Sequence, residues 1–317
     1  RSDGVATITI DRPEVRNAIT APGWTGLHDL FDEVARDDSV RVLVITGAGE
    51  DFCSGADVGG DPRDREGHPL DGMRSVGRAC QTLHTLPKPT IARVDGVAAG
   101  AGLNMALACD FVLASDRSRF SEIFARRGLN IDFGGSFILP RIVGMQKAKE
   151  LVLLADILDA ERAQEMGLVN RVVPDDGFRE ETAKLARRLA DGPPATLAAI
   201  KEGVYRGVDS SLPETLSFEY KTQRRLFLAD AHDHVAAVEL AGARLLVALV
   251  RLDDPRHARR VPRRGRLGGA EVGVARGRGG RVADEPDVRR RPGPGIEPGT
   301  SSVSDGRRPE RDPSRGA

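Results

Sequence analysis

The stretch "TIARVDGVAAGAGLNMALACDFVLAS", residues 90–115, carries the pattern that decides the fold. "TIARVDGV" (90–97) reads as a strand, "AAGAGLNMALACD" (98–110) as a small-residue turn opening a helix, and "FVLAS" (111–115) as a second strand. The same alternation continues toward the N-terminus. "VATITI" (5–10) alternates as a half-buried strand does, and "DRPEVRNA" (11–18) is a loop. Residues 22–37 have helical periodicity, and "VRVLVITG" (40–47) is a β-branched run suited to a strand covered on both faces. A Gly-rich loop, "GAGEDFCSGADVGG" (47–60), leads to a helical stretch near 72–85, and Pro87 and Pro89 end it. Strands alternating with helices predict an α/β layered core.

Beyond residue 141 the periodicity turns helical. "RIVGMQKAKELVLLA" (141–155) has apolar residues at helical spacing, and "DAERAQEMGLV" (159–169) opens with Asp159 as a cap. Further helices are predicted at 178–190, 194–206 and 213–229. The organisation expected is a core over 1–190, a helical region over 191–238 and an Arg/Gly/Pro-rich tail over 239–317.

The chain has 47 basic and 47 acidic residues, but the balance is uneven along it. Residues 241–317 hold 18 Arg and 10 acidic residues, with no Lys, Phe, Tyr or Trp, leaving 29 basic and 37 acidic residues in the body. Stretches such as "ARGRGGR" and "RRRPGPGIEPGT" cannot build a core, and their composition predicts disorder. GC-rich DNA read in a shifted frame also encodes such a composition. A basic tail can hold nucleic acid, but this one has no aromatic residues to stack on bases, so nucleic acid is not an expected partner.

Cys53, Cys80 and Cys109 are far apart and form no CxxC, so neither a disulfide framework nor a metal site is expected. "HDH" (232–234) places its two His on different faces of a helix, which argues against a metal there too. No apolar run approaches the ~20 residues of a membrane span. The chain opens at Arg1 and enters a strand pattern by Val5, with no signal peptide visible, and a cytoplasmic location is expected.

Two Gly-rich segments invite a dinucleotide reading and fail it. "GAGEDF" (47–52) and "GAGLNM" (100–105) put Phe52 and Met105 where G-x-G-x-x-G/A needs a small residue. Taken together, "SGAD" (54–57) and "AAGAG" (98–102) each bring small residues to the point where a helix opens. Backbone N–H groups there are free to converge on a developing negative charge, and small residues also simply permit close packing. Asp132 in "GLNIDFGG" (128–135) is open in the same way: a turn residue, or a base in a pocket.

"DRPEVRNAI" (11–19), "ITGAGEDFCSGADV" (45–58), the segment 88–115 and "LPRIVGMQKAKEL…AERAQEMGLVNRVVP" (139–174) resemble, in order, the enoyl-CoA hydratase/isomerase or crotonase superfamily. The resemblance covers residues 1 to about 238. It implies a core of repeated ββα units, a helical C-terminal trimerisation region, a homotrimer or dimer of trimers, and an acyl-CoA thioester as substrate, with no separate cofactor. It further implies Ala56 and Ala101 as backbone oxyanion donors. The substrate-binding set carried over is Arg16, Ala18, Ser54, Asp57, Val58, Gly102, Asn104 and Phe124.

Departures narrow the reading. Where crotonase-type hydratases carry their two Glu, this sequence has Asn104 and Phe124. Glu122 lies near the second position, but Arg126 four residues on suggests a surface ion pair. Asp132 remains, in a segment similar to that of 2-(1,2-epoxy-1,2-dihydrophenyl)acetyl-CoA isomerases, which also share "AAGAG-x-N-x-ALACD". A carboxylate flanked by Ile131, Phe133 and Phe137 would be desolvated and more basic. Hydration needs one group to activate water and another to handle a proton, whereas a 1,3-proton shift needs a single base. The pattern therefore implies a double-bond isomerase with Asp132 as its base, with a hydratase and a non-catalytic acyl-CoA binder as alternatives. "VELAGARLLVALV" (238–250) replaces the family's usual C-terminal helix ending.

Overall fold

The computed structural model describes residues 3–59 and 69–228; the predicted tail, "HDH" and "VELAGARLLVALV" lie outside them. Five strands form a parallel sheet: β1 (Val5–Ile10), β2 (Val42–Gly47), β3 (Thr90–Val94), β5 (Phe111–Ser115) and β8 (Arg171–Val173), in the order β1-β2-β3-β5-β8. Ile45 sits in register between Ile8 and Ala92. Successive side chains of β2 explain its unbroken apolar run. Val42 and Val44 face Phe178, Ala186 and Ala190 of α7 (Asp175–Ala190) on one side. Leu43 and Ile45 join Trp24, Leu27 and Phe31 of α1 (Ala21–Arg36) and Val76, Ala79 and Leu83 of α2 (Pro69–His84) on the other. A strand buried on both faces needs apolar residues at every position.

A second, smaller layer holds β4 (Val97–Ala99), β6 (Arg119–Ser121) and β7 (Leu158–Asp159). The expected single strand over 90–97 is therefore two strands in two sheets. Gly96 turns the corner at φ +63°, where an added Cβ would strike the Glu50 carbonyl, and Asp51 accepts the Val97 N–H at 2.8 Å. A chain bend pinned by a loop 45 residues earlier in sequence leaves little trace in local periodicity. β3, β4 and the short helix α3 (Ala101–Leu107) make one ββα unit, and β5, β6 and α4 (Gly135–Val143) make another. In a third, β2 is followed by Cys53, bridged to Ala98 of β4, and by α2. This is the crotonase fold that the sequence motifs implied.

The helices beyond residue 141 are α5 (Met145–Leu154), α6 (Ala160–Glu165), α7, α8 (Pro194–Asp209) and α9 (Leu212–Leu228). Asp159 caps α6 as expected, accepting the Arg162 N–H at 2.8 Å. β7 and β8 interrupt this helical stretch with only two and three residues, too few for an alternation to register. Lys201 ties α8 to the sheet through Asp110, 2.8 Å away, and Tyr205 donates to the same carboxylate at 3.2 Å.

Candidate active site

The loop after β1 is shaped by Asn17, which is fully buried with φ +57°. Its side chain accepts the Arg12 N–H at 2.9 Å and donates to the Ala48 and Asp51 carbonyls at 2.9 and 2.6 Å. Arg12 in turn reaches the Ala18 carbonyl at 2.7 Å and the Asp57 carboxylate at 2.9 Å. These bonds lay the segment ending at Ile19 beside residues 55–57. Ile19 donates to Gly55 and accepts from Asp57. In such a parallel pairing the intervening residue, Ala56, directs its own N–H to the opposite side.

The opposite side is the start of α3. Gly55, at φ +102°, approaches it so closely that an added Cβ would lie 2.9 Å from the Ala99 carbonyl and 3.3 Å from the Ala101 nitrogen. Gly102 has no room for a side chain against the Cys53 carbonyl. Small residues here thus do serve close packing, and the packing brings two backbone segments together. The first N–H groups of a helix have no intrahelical acceptor. Among the described residues neither the Ala56 nor the Ala101 N–H has a hydrogen-bond partner.

A cavity of about 480 Å³ opens at this junction. Arg16, Ala18, Ser54, Ala56, Asp57 and Val58 line one wall, and Phe124 and Asp132 another. Gly100 lines it, so the Gly100–Ala101 peptide borders the cavity, while the side chains of Ala101 and Asn104, and Gly102, are buried in α3. Asp57 is the Arg12 partner, so its carboxylate braces the wall. The Asp132 carboxylate has no hydrogen-bond or ion-pair partner among the described residues, and its Oδ1 is buried. Burial pushes its pKa up to about 6.

Asp132 is therefore desolvated as expected, and none of Ile131, Phe133 and Phe137, named from the sequence, lines its cavity. Phe137 is 43% exposed and lies under Arg141, whose guanidinium carbon is 3.5 Å from the ring centroid. Phe133 packs on Trp24, with ring centroids 5.4 Å apart. The apolar wall that Asp132 shares is Ile123, Phe124 and Leu129.

The expected surface ion pair of Glu122 with Arg126 does not form. Arg126 pairs with Asp156 at 2.9 Å, and Glu122 is 1% exposed, behind Asn104. The Asn104 amide nitrogen is 3.4 Å from Glu122 Oε2 and 3.0 Å from the Asp132 carbonyl oxygen. Burial first, and the nearby Asp132 second, push the Glu122 pKa up to about 8. One signal in the sequence points to its burial. Glu122 directly follows the buried Phe120 and Ser121 that end β6, so the chain is still inside the core where it stands.

A further cavity, of about 600 Å³, lies among α3, α4 and α8 and holds none of the predicted site residues. His84 lines it, its ring centroid 4.2 Å from that of Tyr205 in a tilted contact.

The sequence model for enoyl-CoA hydratase/isomerase matches residues 1–237. The chain belongs to that family. It is an enzyme fold with many relatives. The "Probable enoyl-CoA hydratase" of Rhodobacter capsulatus is 40% identical over 228 residues, 71% of this chain and 87% of the relative. The 1,2-epoxyphenylacetyl-CoA isomerase of Escherichia coli is 38% identical over 225 residues, 70% and 86% of the two chains. The crystal structure of an enoyl-CoA hydratase from Polaromonas superposes with a TM-score of 0.70 at 30% identity, covering 75% of this chain and 94% of that one. Among the described residues no helix is long and apolar enough to cross a membrane.

Proposed function

We propose that this member of the enoyl-CoA hydratase/isomerase family is an acyl-CoA double-bond isomerase with Asp132 as its single base. The observation that carries this reading is the carboxylate of Asp132. It shares a cavity with Ala56 and, unlike Asp57, is paired with no cation among the described residues. In a β,γ-enoyl thioester, Asp132 removes a proton from C2, and the electron pair moves onto the thioester oxygen. The N–H groups of Ala56 and Ala101 donate to that oxygen, a contribution of about 3 kcal/mol for each well-placed donor. The resulting dienolate collapses by taking the proton from Asp132 at C4, giving the conjugated isomer. The shift is redox-neutral, so no cofactor is needed beyond the CoA carried by the substrate.

Hydration is the second reading, since Glu122 supplies another carboxyl group near Asp132. Glu122 does not reach the cavity wall, however, and a water held by it would have no line to the substrate. The family's trimer is the assembly we propose, supported by the exposed apolar residues Ile200, Val204 and Val208 along α8. Light scattering giving a monomer at micromolar concentration would refute that assembly.

Incubating the protein with a β,γ-enoyl-CoA in deuterated water tests the chemistry. Deuterium in a conjugated product with no added water is expected. A 3-hydroxyacyl product would instead establish a hydratase.

A further inference from the structure

Three buried groups of the site meet behind the cavity wall: Glu122, Asn104 and the backbone of Asp132. The proton-shuttle reading uses only the Asp132 carboxylate and leaves Glu122 without a task. Glu122 follows β6 at the head of a short 3-10 helix, Ile123–Arg127, and its side chain is closed off from solvent. Among the described residues Oε2 meets only the Asn104 amide, at a long 3.4 Å, and Oε1 is buried with no partner. A buried carboxylate needs a cation or several donors to keep its charge. Among the described residues no cation pairs with Glu122, and Asn104 is its one donor. Arg126 is engaged by Asp156, and Arg127 is exposed at the cavity. Asp132, ahead of α4, is the charge that acts on Glu122, and Cys80 of α2 feels the same Asp132. The Cys80 thiol donates to the Phe133 carbonyl at 3.3 Å and is pushed up to about 11 by burial and by Asp132. Asp132 opposes a negative charge on Glu122, while the Cys80 thiol stays neutral.

We propose that Glu122 is a positioning residue that keeps its proton while Asp132 is ionised, and that loss of this proton ends activity on the alkaline side. This inference rests on Asp132 being the base. The order of ionisation follows from access: Asp132 touches the cavity and Glu122 does not. Burial pushes both carboxyls up, Asp132 to about 6 and Glu122 further, to about 8, where the charge on Asp132 adds to burial. Between those values the pair carries one charge, on the group that meets the substrate. Above them a second buried negative charge stands behind the base, where it opposes the anionic dienolate. Asn104 links the two groups, because its nitrogen bonds the Asp132 backbone while facing Glu122.

The test is the pH dependence of kcat for the wild type and Glu122→Gln, which keeps the shape and an acceptor for Asn104. In the wild type kcat should rise through about pH 6 and fall roughly tenfold between pH 7 and 9, one unit beyond the upper ionisation. Glu122→Gln should keep the lower limb and lose the upper one, changing less than about twofold over the same range. An upper limb that survives in Glu122→Gln overturns the proposal and leaves Glu122 a packing residue. Infrared difference spectra give a readout independent of turnover. A protonated-carboxyl C=O band should be present at pH 7, vanish by pH 9 and be missing in Glu122→Gln; a wild type without that band at pH 7 also overturns it. Failure of the base assignment is distinguishable, because Asp132→Asn would then turn over normally whatever the infrared band does.

Discussion

Asn104 holds Asp132 by its backbone and not by its carboxylate: the amide nitrogen of one lies 3.0 Å from the carbonyl oxygen of the other. The distinction matters for a base. A hydrogen bond to the carboxylate would stabilise its charge and lower its proton affinity, whereas a bond to the carbonyl fixes position and leaves basicity untouched. Position and basicity are thus set by different contacts, the first by α3 and the second by burial.

Asp132→Asn is expected to lower kcat by about 100- to 10,000-fold, the range for losing a positioned general base. The substitution is isosteric and the Asp132 carboxylate has no hydrogen-bond partner among the described residues, so the melting temperature and CoA-ester affinity should be retained. Steady-state kinetics beside calorimetric titration checks both halves. Full turnover would remove Asp132 from the mechanism.

Gly135→Ala should disturb Asn104 directly. Gly135 is the first residue of α4, and a Cβ there would overlap the Asn104 side-chain amide. Overpacking a tight site costs about 1–3 kcal/mol. A urea midpoint shifted by that amount, together with reduced kcat, is expected. A variant as stable and active as the wild type would show that α4 can move away freely.

Lys201→Met tests how α8 is anchored. The Lys201–Asp110 pair is largely shielded, with side chains 10% and 16% exposed. Removing the cation leaves Asp110 with Thr90 and Tyr205 as donors. Breaking one side of a shielded pair costs about 3 kcal/mol. Chemical denaturation should report a loss of that order, and hydrogen exchange should localise it to α8. Exchange unchanged across 194–209 would contradict the anchoring role.

Stability should also respond to pH through Glu122. Its folded-state pKa is raised to about 8, so the folded protein holds a proton that the unfolded chain releases near the ordinary glutamate value. Fewer protons bound when unfolded means that this contribution is complete below pH 4 and falls as pH climbs through about 8. Glu122→Gln, which cannot ionise, should therefore gain stability relative to the wild type between pH 5 and 9, by a few kcal/mol. Urea midpoints for the two proteins across that range give the difference. A constant gap would mean that Glu122 titrates alike folded and unfolded.

The fold was largely legible because its signals are local. The β2 run, the strand over 111–115 and the helices flanking them follow from burial on one or both faces, which repeats every two or 3.6 residues. Asp132 and the small-residue loops stood out for the same reason, since Gly and Asp mark turns by their own backbone preferences. Glu122 was misread because Arg126, at i+4, offered a local partner that the fold directs to Asp156 instead.

The amino-acid order alone determined the α/β alternation, the family motifs and the lone acid of "GLNIDFGG", each encoded by neighbours within a few residues. Only the tertiary structure decided that 90–97 is two strands, that Gly55 packs on the opening of α3, and that Glu122 is buried behind Asn104. Gly96 meets Glu50, Gly55 meets Ala101, and Asn104 meets Glu122 and Asp132. Those contacts join segments 18 or more residues apart, and burial and charge at such junctions belong to the folded chain, not to either segment.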